Sequence, residues 1–331
     1  MSPSAPFSRD VLRIDPQAEA DRICERMRQA LVKQLRRRGL VIGISGGIDS
    51  SVSTALAVRA VGKEKVLALQ MPERHSSSET LSLSGRLADH FGIATLHEDI
   101  TPILEAVGFY RLYDDTVRTV VPAYESGWKS KIVTPNVIDN PGFTVFSIVA
   151  QSPSGQVIKK RLPLDAYLGI VAVTNFKQRI RKMLEYYHAD RLHYAVVGTP
   201  NRLEYDQGFF VKLGDGAADL KPIAHLYKMQ VYQLAEHLGV PEEIRNRLPT
   251  TDTYSLAQGQ DEFYFSLPFD KMDLCLYGKN NGVAPAEVGA ATGLTAEQVA
   301  RVYRDIDTKR STTRYLHLPP VLAGSVPEIG H

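Results

Sequence analysis

The sequence has little of several features that define whole classes of proteins. Only two of its 331 residues are cysteine, Cys24 and Cys275, and their spacing fits neither a disulfide framework nor a metal site, which suits a reducing cytosol. No apolar run approaches the roughly 18 residues of a membrane-spanning helix. Residues 1–20 are polar and show no signal peptide, so we expect a cytoplasmic protein.

Excess charge of one sign is also missing. The formal net charge is +2, and no long basic run accompanies it. Charge therefore argues neither for nor against a nucleic-acid partner, and we expect none. The sequence contains no internal repeat and no low-complexity tract.

The overall composition is that of an ordinary globular protein. Along the sequence, strand-like runs alternate with helical ones. Hydrophobic residues make up 44% and charged residues 23%, as in a typical soluble enzyme. The apolar runs that predict strands are 40–44, 66–71, 93–97 and 195–199. Their alternation with helices predicts an α/β fold, a doubly wound parallel sheet with helices on both faces. Such sheets bind ligands at the carboxyl ends of their strands.

Residues 112–163 interrupt this alternation. Turn-forming residues there separate four further runs that predict strands, at 116–121, 131–133, 144–149 and 157–160. We therefore predict one domain over residues 1–331 with a β-rich insertion at 112–163. The insertion is either a surface or dimer-contact pair of hairpins, which the tolerance of loops to insertion favours, or a substrate lid or partner-docking surface.

The most informative stretch is the loop Ser45-Gly46-Gly47-Ile48-Asp49-Ser50-Ser51, which joins the first strand to a helix. Backbone N–H groups at a helix N-terminus attract an anion, the glycines let it approach closely, and the serine hydroxyls add donors. The loop has no lysine, so it is not the phosphate loop of most ATPases. An acidic Asp49 among phosphates makes sense if it holds Mg²⁺. A purely structural glycine turn is the weaker alternative.

Ser-Gly-Gly-x-Asp-Ser resembles the pyrophosphate loop of the ATP pyrophosphatases, and a second signature narrows the family. It comprises 198–204 and 208–220 and continues through 222–228, 249–252 and 307–310. In this order the motifs closely resemble those of the ammonia-dependent NAD synthetases. The resemblance implies a ligase that uses ATP to amidate nicotinic acid adenine dinucleotide (deamido-NAD) to NAD. The reaction passes through an adenylated intermediate and releases AMP and pyrophosphate.

The resemblance also implies roles for individual residues around ATP. The ATP-binding positions are Gly43, Ile44, Ser45, Gly46, Gly47, Ile48, Asp49, Ser50, Ser51, Thr199, Lys228 and Thr250. Asp49 and Glu204 would share Mg²⁺, because the departure of pyrophosphate needs its charge neutralised. Lys228 would stabilise the charge that develops, so Asp49 and Lys228 are the predicted catalytic residues. Without the resemblance, Glu204 and Lys228 would be interpreted as solvated helix residues.

Another set matches the positions that bind deamido-NAD in the family: Arg179, Lys212, Asp215, Asp219 and Lys309. An arginine fork suits a carboxylate or a phosphate, although from the residues alone a basic helix face explains Arg179 better. Asp215 either binds substrate or only builds its Gly-Asp-Gly turn. Lys309 follows Thr308, where some family members have a histidine.

The expected partners are deamido-NAD, ATP and ammonia. Glutamine-dependent members of the family carry an additional amidohydrolase domain, for which we expect no room in 331 residues. Free ammonia or a separate glutaminase would therefore supply the nitrogen, and a homodimer is typical of the family. Two alternatives stay open: a related amide-forming or thiolating enzyme acting on another acid or nucleotide, and a nucleotide-binding sensor without chemistry.

Overall fold

A computed structural model describes residues 6–134, 138, 146–247, 250–251, 253–256, 258–259, 264–265 and 267–329. Its strands are β1 (Leu40–Gly43), β2 (Val66–Gln70), β3 (Ala94–His97), β4 (Lys129–Val133), β5 (Ser147–Gln151), β6 (Val157–Arg161), β7 (Ala195–Val197), β8 (Thr250–Thr251) and β9 (Gln258–Gly259).

The α-helices of the described residues cover most of the remaining chain. They are α1 (Pro16–Gln29), α2 (Ile48–Val61), α3 (Ser78–Phe91), α4 (Thr101–Ala106), α5 (Phe109–Arg118), α6 (Leu164–Leu192), α7 (Arg202–Gln207), α8 (Lys228–His237), α9 (Glu242–Arg245), α10 (Phe269–Asn280), α11 (Pro285–Thr292) and α12 (Ala296–His317). Among these residues, no helix combines the length and apolarity needed to cross a membrane.

The central sheet has the order β3-β2-β1-β7, and its strands are all parallel. Val41 pairs with Leu67 on one side and with Val196 on the other. Strands β1, β2 and β7 are almost entirely buried, because helices cover both faces of a parallel sheet and leave no polar alternation. The predicted doubly wound parallel sheet is confirmed.

Two apolar cores lie on opposite faces of this sheet. Leu40 and Ile42 point into one core, which they share with α1, α2, α3 and α8. Val41 points into the other, with α5 and the long helix α6, because successive side chains of a strand face opposite sides. A third cluster unites α10, α11 and α12 with Leu203 of α7.

The predicted insertion contains one antiparallel sheet of order β4-β5-β6. Three of the four predicted strands are present, but the strand expected at 116–121 is wrong, because α5 extends to Arg118 and a turn follows. Ile132, Ile148 and Ala150 are fully buried in the core that contains α6. Strands β4 and β5 are therefore packed into the fold along one face, whereas most of β6 is exposed. A role of the insertion as a dimer contact or as a substrate lid stays a prediction.

Candidate active site

A cavity of about 490 Å³ opens at the carboxyl ends of β1, β2 and β7. The loop that follows β1 forms its floor, the ends of β2 and β7 flank it, and one face of α6 forms a long wall. The size falls within the usual range of small-molecule sites, and the position is the one expected for ligands of a doubly wound sheet. Seven residues of the predicted ATP loop line it: Gly43, Ile44, Ser45, Gly47, Ile48, Asp49 and Ser50.

The loop after β1 is held in shape by its own hydroxyl groups. Gly47 is the N-cap of α2, and its carbonyl oxygen accepts hydrogen bonds from Ser50 Oγ (3.0 Å) and Ser51 Oγ (2.8 Å). Gly46 has a φ of +67°, and a Cβ there would lie 2.8 Å from the Cβ of Leu83 in α3. A glycine is therefore required at 46. The first N–H groups of α2 are presented at the floor of the cavity, as an anion-binding loop requires.

Lys228 and Asp49 meet at this floor. Lys228 is the first residue of α8, is 2% exposed, and its Nζ contacts Asp49 Oδ2. Burial lowers the pKa of Lys228, but the charges of Asp49 and Glu204 outweigh this effect and leave it raised. The ammonium group therefore stays charged although it is buried.

Asn201 connects the two carboxylates that the sequence assigns to a metal. Its Nδ2 donates to Asp49 Oδ1 at 3.2 Å. Asn201 is also the N-cap of α7 and forms a capping box with Glu204. The backbone N of Asn201 donates to Glu204 Oε2 (3.1 Å), and Asn201 Oδ1 accepts from the backbone N of Glu204 (3.3 Å). Glu204 and Thr199 both line the cavity. Asn201 is not among the predicted site residues, although an Asn three residues before a Glu is the signal of such a box.

Asp273 of α10 fixes the helix start that carries Lys228. Its two carboxylate oxygens accept the backbone N–H groups of Lys228 (3.1 Å) and Met229 (2.7 Å). Burial raises the pKa of Asp273 to about 7, although these hydrogen bonds and the charge of Lys228 oppose the rise. Asp273 is not among the residues predicted from the sequence; the signal that could have identified it is an aspartate inside the apolar run Met272–Leu276.

The predicted substrate residues are divided between the cavity and its surroundings. Asp215 lines the cavity, and its carboxylate also accepts the backbone N–H of Val211 at 2.8 Å, so it builds its turn as well. Burial raises the pKa of Asp215. Asp219 accepts the backbone N–H of Val196 (2.7 Å) and the hydroxyl of Tyr186 (3.2 Å), which ties its turn to β7.

The three predicted basic residues for deamido-NAD are engaged elsewhere. Arg179 is exposed, and its Nε donates to the Lys212 carbonyl at 3.4 Å. Lys212 Nζ donates to two carbonyl oxygens at the end of α12, at 2.7 and 3.2 Å. Lys309 Nζ donates to the Tyr264 carbonyl (2.6 Å) and to Asp305 (2.7 Å). Within the described ranges, none of the three lines the cavity. The side chain of Thr250, predicted to bind ATP, lies outside the described part of the chain.

One face of α6 lines the cavity along most of the helix. It comprises Tyr167, Val171, Thr174, Gln178, Arg181 and Glu185. Their spacing alternates between four and three residues, which places them on one side of a helix. Arg181 Nε donates to the Met71 carbonyl at 3.1 Å, and Glu185 accepts a hydrogen bond of 2.6 Å from the buried Lys182. Of this helix only Arg179 was predicted as a site residue, and it does not lie on the cavity face.

Comparison with known proteins shows which family the chain belongs to. The sequence model of the family described as NAD synthase matches residues 19–124 and 147–314. An NH(3)-dependent NAD(+) synthetase of Rhizobium meliloti (strain 1021) is 61% identical over 323 residues, covering 98% of this chain and 96% of that protein.

Solved structures show the same fold at low sequence identity. The NMN synthetase from Francisella tularensis has a TM-score of 0.64 at 22% identity, over 94% of this chain and 100% of that one. The NH3-dependent NAD synthetase from Campylobacter jejuni subsp. jejuni NCTC 11168, in complex with the nitrate ion, has a TM-score of 0.61 at 21% identity, with the same two coverages. Sequence and fold together establish that this chain belongs to the NAD synthase family.

Proposed function

We propose that this chain is an ammonia-dependent NAD synthetase, a ligase that amidates deamido-NAD to NAD and converts ATP to AMP and pyrophosphate. Membership of the family and the 61% identity to an NH(3)-dependent NAD(+) synthetase support this function. The observation that carries it in the structure is the buried Lys228–Asp49 contact at the N-terminus of α2. Action on another acid or nucleotide is not favoured by these relatives.

The cavity floor suits cleavage between the α- and β-phosphates of ATP. The N-terminus of α2 and the loop after β1 hold the phosphates through backbone N–H groups. Lys228 supplies a charge that burial does not remove, and charge stabilisation of a leaving pyrophosphate is strong in a site that excludes water. The carboxylate of deamido-NAD attacks the α-phosphorus and ammonia then displaces AMP, so positioning and charge suffice without a covalent nucleophile on the protein.

The two cysteines fit this mechanism, because neither lines the cavity within the described residues. Both are buried, and burial raises the pKa of each thiol, that of Cys275 to about 12. A thiol in that state is a poor nucleophile.

Asp49 and Glu204 fit a magnesium ion that enters with ATP. Mg²⁺ is usually held by one or two carboxylates together with substrate phosphates, and Asn201 fixes both of these carboxylates beside Lys228. No cluster of three or more acidic, histidine or cysteine ligands occurs among the residues that the structure describes, which suits an ion completed by phosphate oxygens. When bound, the ion neutralises charge on the phosphates.

The nitrogen source, assembly and location complete the proposal. Ammonia is the nitrogen donor, in keeping with the similarity to an NH(3)-dependent enzyme of Rhizobium meliloti, and it is either free or delivered by a separate glutaminase. Because the family resemblance implies a pair of subunits, we include a homodimer. The cytosol is the proposed compartment, in keeping with two cysteines that are both unpaired.

The decisive experiment incubates the protein with ATP, Mg²⁺, ammonium and deamido-NAD and separates the products by chromatography. NAD, AMP and pyrophosphate should form in equal amounts. Stoichiometric ADP, or no NAD, would contradict the proposal. Asp49→Asn should abolish product formation, whereas Asp89→Asn, which changes an exposed carboxylate of α3, is the matched control and should not.

A further inference from the structure

A buried ion pair joins α6 to the loop 71–77 that follows β2. Lys177 of α6 and Glu73 of this loop are 2% and 5% exposed, and Lys177 Nζ donates to Glu73 Oε1 at 2.7 Å. Burial raises the pKa of Glu73, but the charge and the hydrogen bond of Lys177 outweigh this effect and leave the pKa lowered. The carboxylate is therefore ionised, and two opposite charges face each other away from water.

The same two side chains also contact other parts of the fold. Lys177 Nζ donates to the Thr253 carbonyl at 3.1 Å. Glu73 Oε2 accepts the hydroxyl of Tyr110 in α5 at 3.0 Å. One charged pair thus connects the loop 71–77, α6, α5 and the segment at Thr253.

Three of these segments form the wall of the cavity. Lys177 and Thr253 line it themselves. The loop lines it through four residues, which are Met71, Pro72, Ser76 and Ser77. Arg181, one turn after Lys177, holds the same loop through the Met71 carbonyl. The ion pair therefore lies where separate parts of the wall meet.

The loop leads directly into α3, which borders the phosphate loop. Ser77 is the N-cap of α3, and its Oγ accepts the backbone N–H of Thr80 at 3.1 Å. A Cβ on Gly46 would lie 3.0 Å from the Thr80 carbonyl oxygen. A movement of the loop 71–77 would therefore shift the wall beside the site proposed for the phosphates of ATP.

The energetics of a buried ion pair favour a role in geometry over a role in stability. Taking two charges out of water costs about as much as their attraction returns, so apolar residues of similar volume are often equally stable. The charged groups of Lys177 and Glu73 also fix Thr253 and Tyr110, which an apolar pair could not do.

We infer that Lys177 and Glu73 are positioning residues, which hold the loop 71–77 against α6 and Thr253 so that the cavity wall is closed when ATP binds. This role rests on the proposed function. Without the pair, the loop would be closed in only a fraction of the molecules, and the apparent affinity for ATP would fall by that fraction. Bound ATP would still close the wall, so the chemical step would be less affected.

Both charges are removed together in the test. Lys177→Met or Glu73→Gln alone takes away one member of a buried pair and should destabilise the fold. The double variant Glu73→Gln/Lys177→Met contains neither charge, and the glutamine still offers an oxygen to Tyr110. Urea unfolding should find the double variant more stable than either single variant.

Steady-state kinetics of the double variant separate positioning from stability. Its KM for ATP should rise about tenfold or more, while kcat stays within about threefold of that of the unmodified enzyme. A pair that only stabilises the fold gives the reverse pattern, because a partly unfolded enzyme loses kcat and keeps its KM.

Trypsin provides a second measurement that needs no catalysis. Arg74, an exposed residue of the loop, offers a cleavage site that becomes accessible to the protease when the loop opens. Cleavage after Arg74 should be at least about tenfold faster in the double variant, the scale of losing one charge-assisted hydrogen bond. Tyr110→Phe removes the hydroxyl that donates to Glu73 and should accelerate cleavage about threefold while the protein stays folded.

The matched control is the ion pair Lys279–Asp307 between α10 and α12. Among the described residues, neither member lines the cavity, so Lys279→Met/Asp307→Asn should change neither the KM for ATP nor the cleavage after Arg74. The proposed role is overturned if the double variant keeps the KM and the cleavage rate of the unmodified protein, or if Tyr110→Phe leaves the cleavage rate unchanged. If the unmodified enzyme made no NAD, the proposed function would fail instead, and cleavage after Arg74 would still test the pair.

Discussion

Replacing Asp273 by asparagine tests how the start of α8, which carries Lys228, is stabilised. Asp273 is fully buried and accepts two backbone N–H groups from the first turn of that helix. A carboxylate at a helix N-terminus is usually favoured in its charged form, but here burial has the larger effect and raises the pKa to about 7. Asparagine keeps the shape and an accepting oxygen but cannot ionise.

The size of the expected change in the free energy of unfolding follows from proton linkage. In the unfolded chain Asp273 loses its proton near its ordinary pKa of 3.8, whereas the folded protein keeps the proton up to about pH 7. The folded state therefore binds more protons between these values, and the carboxyl group's contribution to the free energy of unfolding is lost as the pH rises through this window. At about 1.4 kcal/mol per pH unit the loss amounts to about 4 kcal/mol, of which about 2 kcal/mol falls between pH 5 and pH 7, because the group is only half deprotonated at its folded pKa.

Urea unfolding followed by circular dichroism, repeated from pH 5 to pH 8, measures the effect. Other groups titrate equally in both proteins, so the difference between Asp273→Asn and the unmodified protein isolates this one carboxyl group. Any hydrogen bond that asparagine weakens changes the free energy of unfolding by an amount that does not depend on pH. We expect the variant to gain about 2 kcal/mol relative to the unmodified protein between pH 5 and pH 7, and little above it. A difference that does not change with pH would refute the raised pKa.

Further predictions concern the chemistry, and all use the NAD-formation assay. Asp49→Asn and Glu204→Gln should each lower kcat at least about a hundredfold, the scale of lost electrostatic stabilisation at a transition state. Lys228→Met should lower kcat by a similar factor, because it removes the buried positive charge that contacts Asp49 at the floor. Lys212→Ala tests the substrate role that only the family resemblance gives this residue, since its amine donates to carbonyls outside the cavity; that role predicts a KM for deamido-NAD raised about tenfold or more and a KM for ATP raised only a few-fold. Ammonium should be used far better than glutamine, and the KM for total ammonium should fall as the pH rises, because neutral ammonia is the nucleophile.

Each of these predictions has a control and a contrary outcome. Asp89→Asn and Lys33→Ala change exposed charges and should leave kcat and both KM values unaltered. Near-normal kcat in Asp49→Asn or Glu204→Gln would remove that residue from the metal site. Equal losses for both substrates in Lys212→Ala, or efficient use of glutamine, would contradict the assigned substrate role or nitrogen source.

The central sheet and the phosphate loop could be predicted from the sequence because both depend on local patterns. Strands covered on both faces are short continuous apolar runs, as Leu40–Gly43 is. A glycine turn between a strand and a helix can likewise be recognised from a few consecutive residues. The prediction of a strand at 116–121 was wrong because packing against the rest of the fold, and not the local pattern, decides the structure there. Its β-branched residues favour a strand locally, but Phe109, Tyr113 and Val117, four residues apart, bury one face of a helix against α6.

The contacts of the predicted substrate residues could not be read from the sequence at all. A lysine in a family motif says nothing of what its amine touches, and Lys212 donates to carbonyls more than a hundred residues further along the chain. The same holds for the link from Asn201 to Asp49, which spans two separate motifs. Such pairings depend on how the elements meet in three dimensions.

Helix α6 shows where sequence patterns stop being sufficient. Ala166, Ile170, Val173 and Ile180 form its core face, and the cavity face follows the same spacing one position later. The solvated side of the helix includes the apolar or aromatic residues Leu168, Met183 and Tyr187, so hydropathy does not identify which face is which. Polar side chains such as Gln178 and Arg181 look like an exposed surface in the sequence, yet they line the cavity. Because an offset of one residue rotates a helix face by about 100°, Arg179 falls outside a cavity that Gln178 enters.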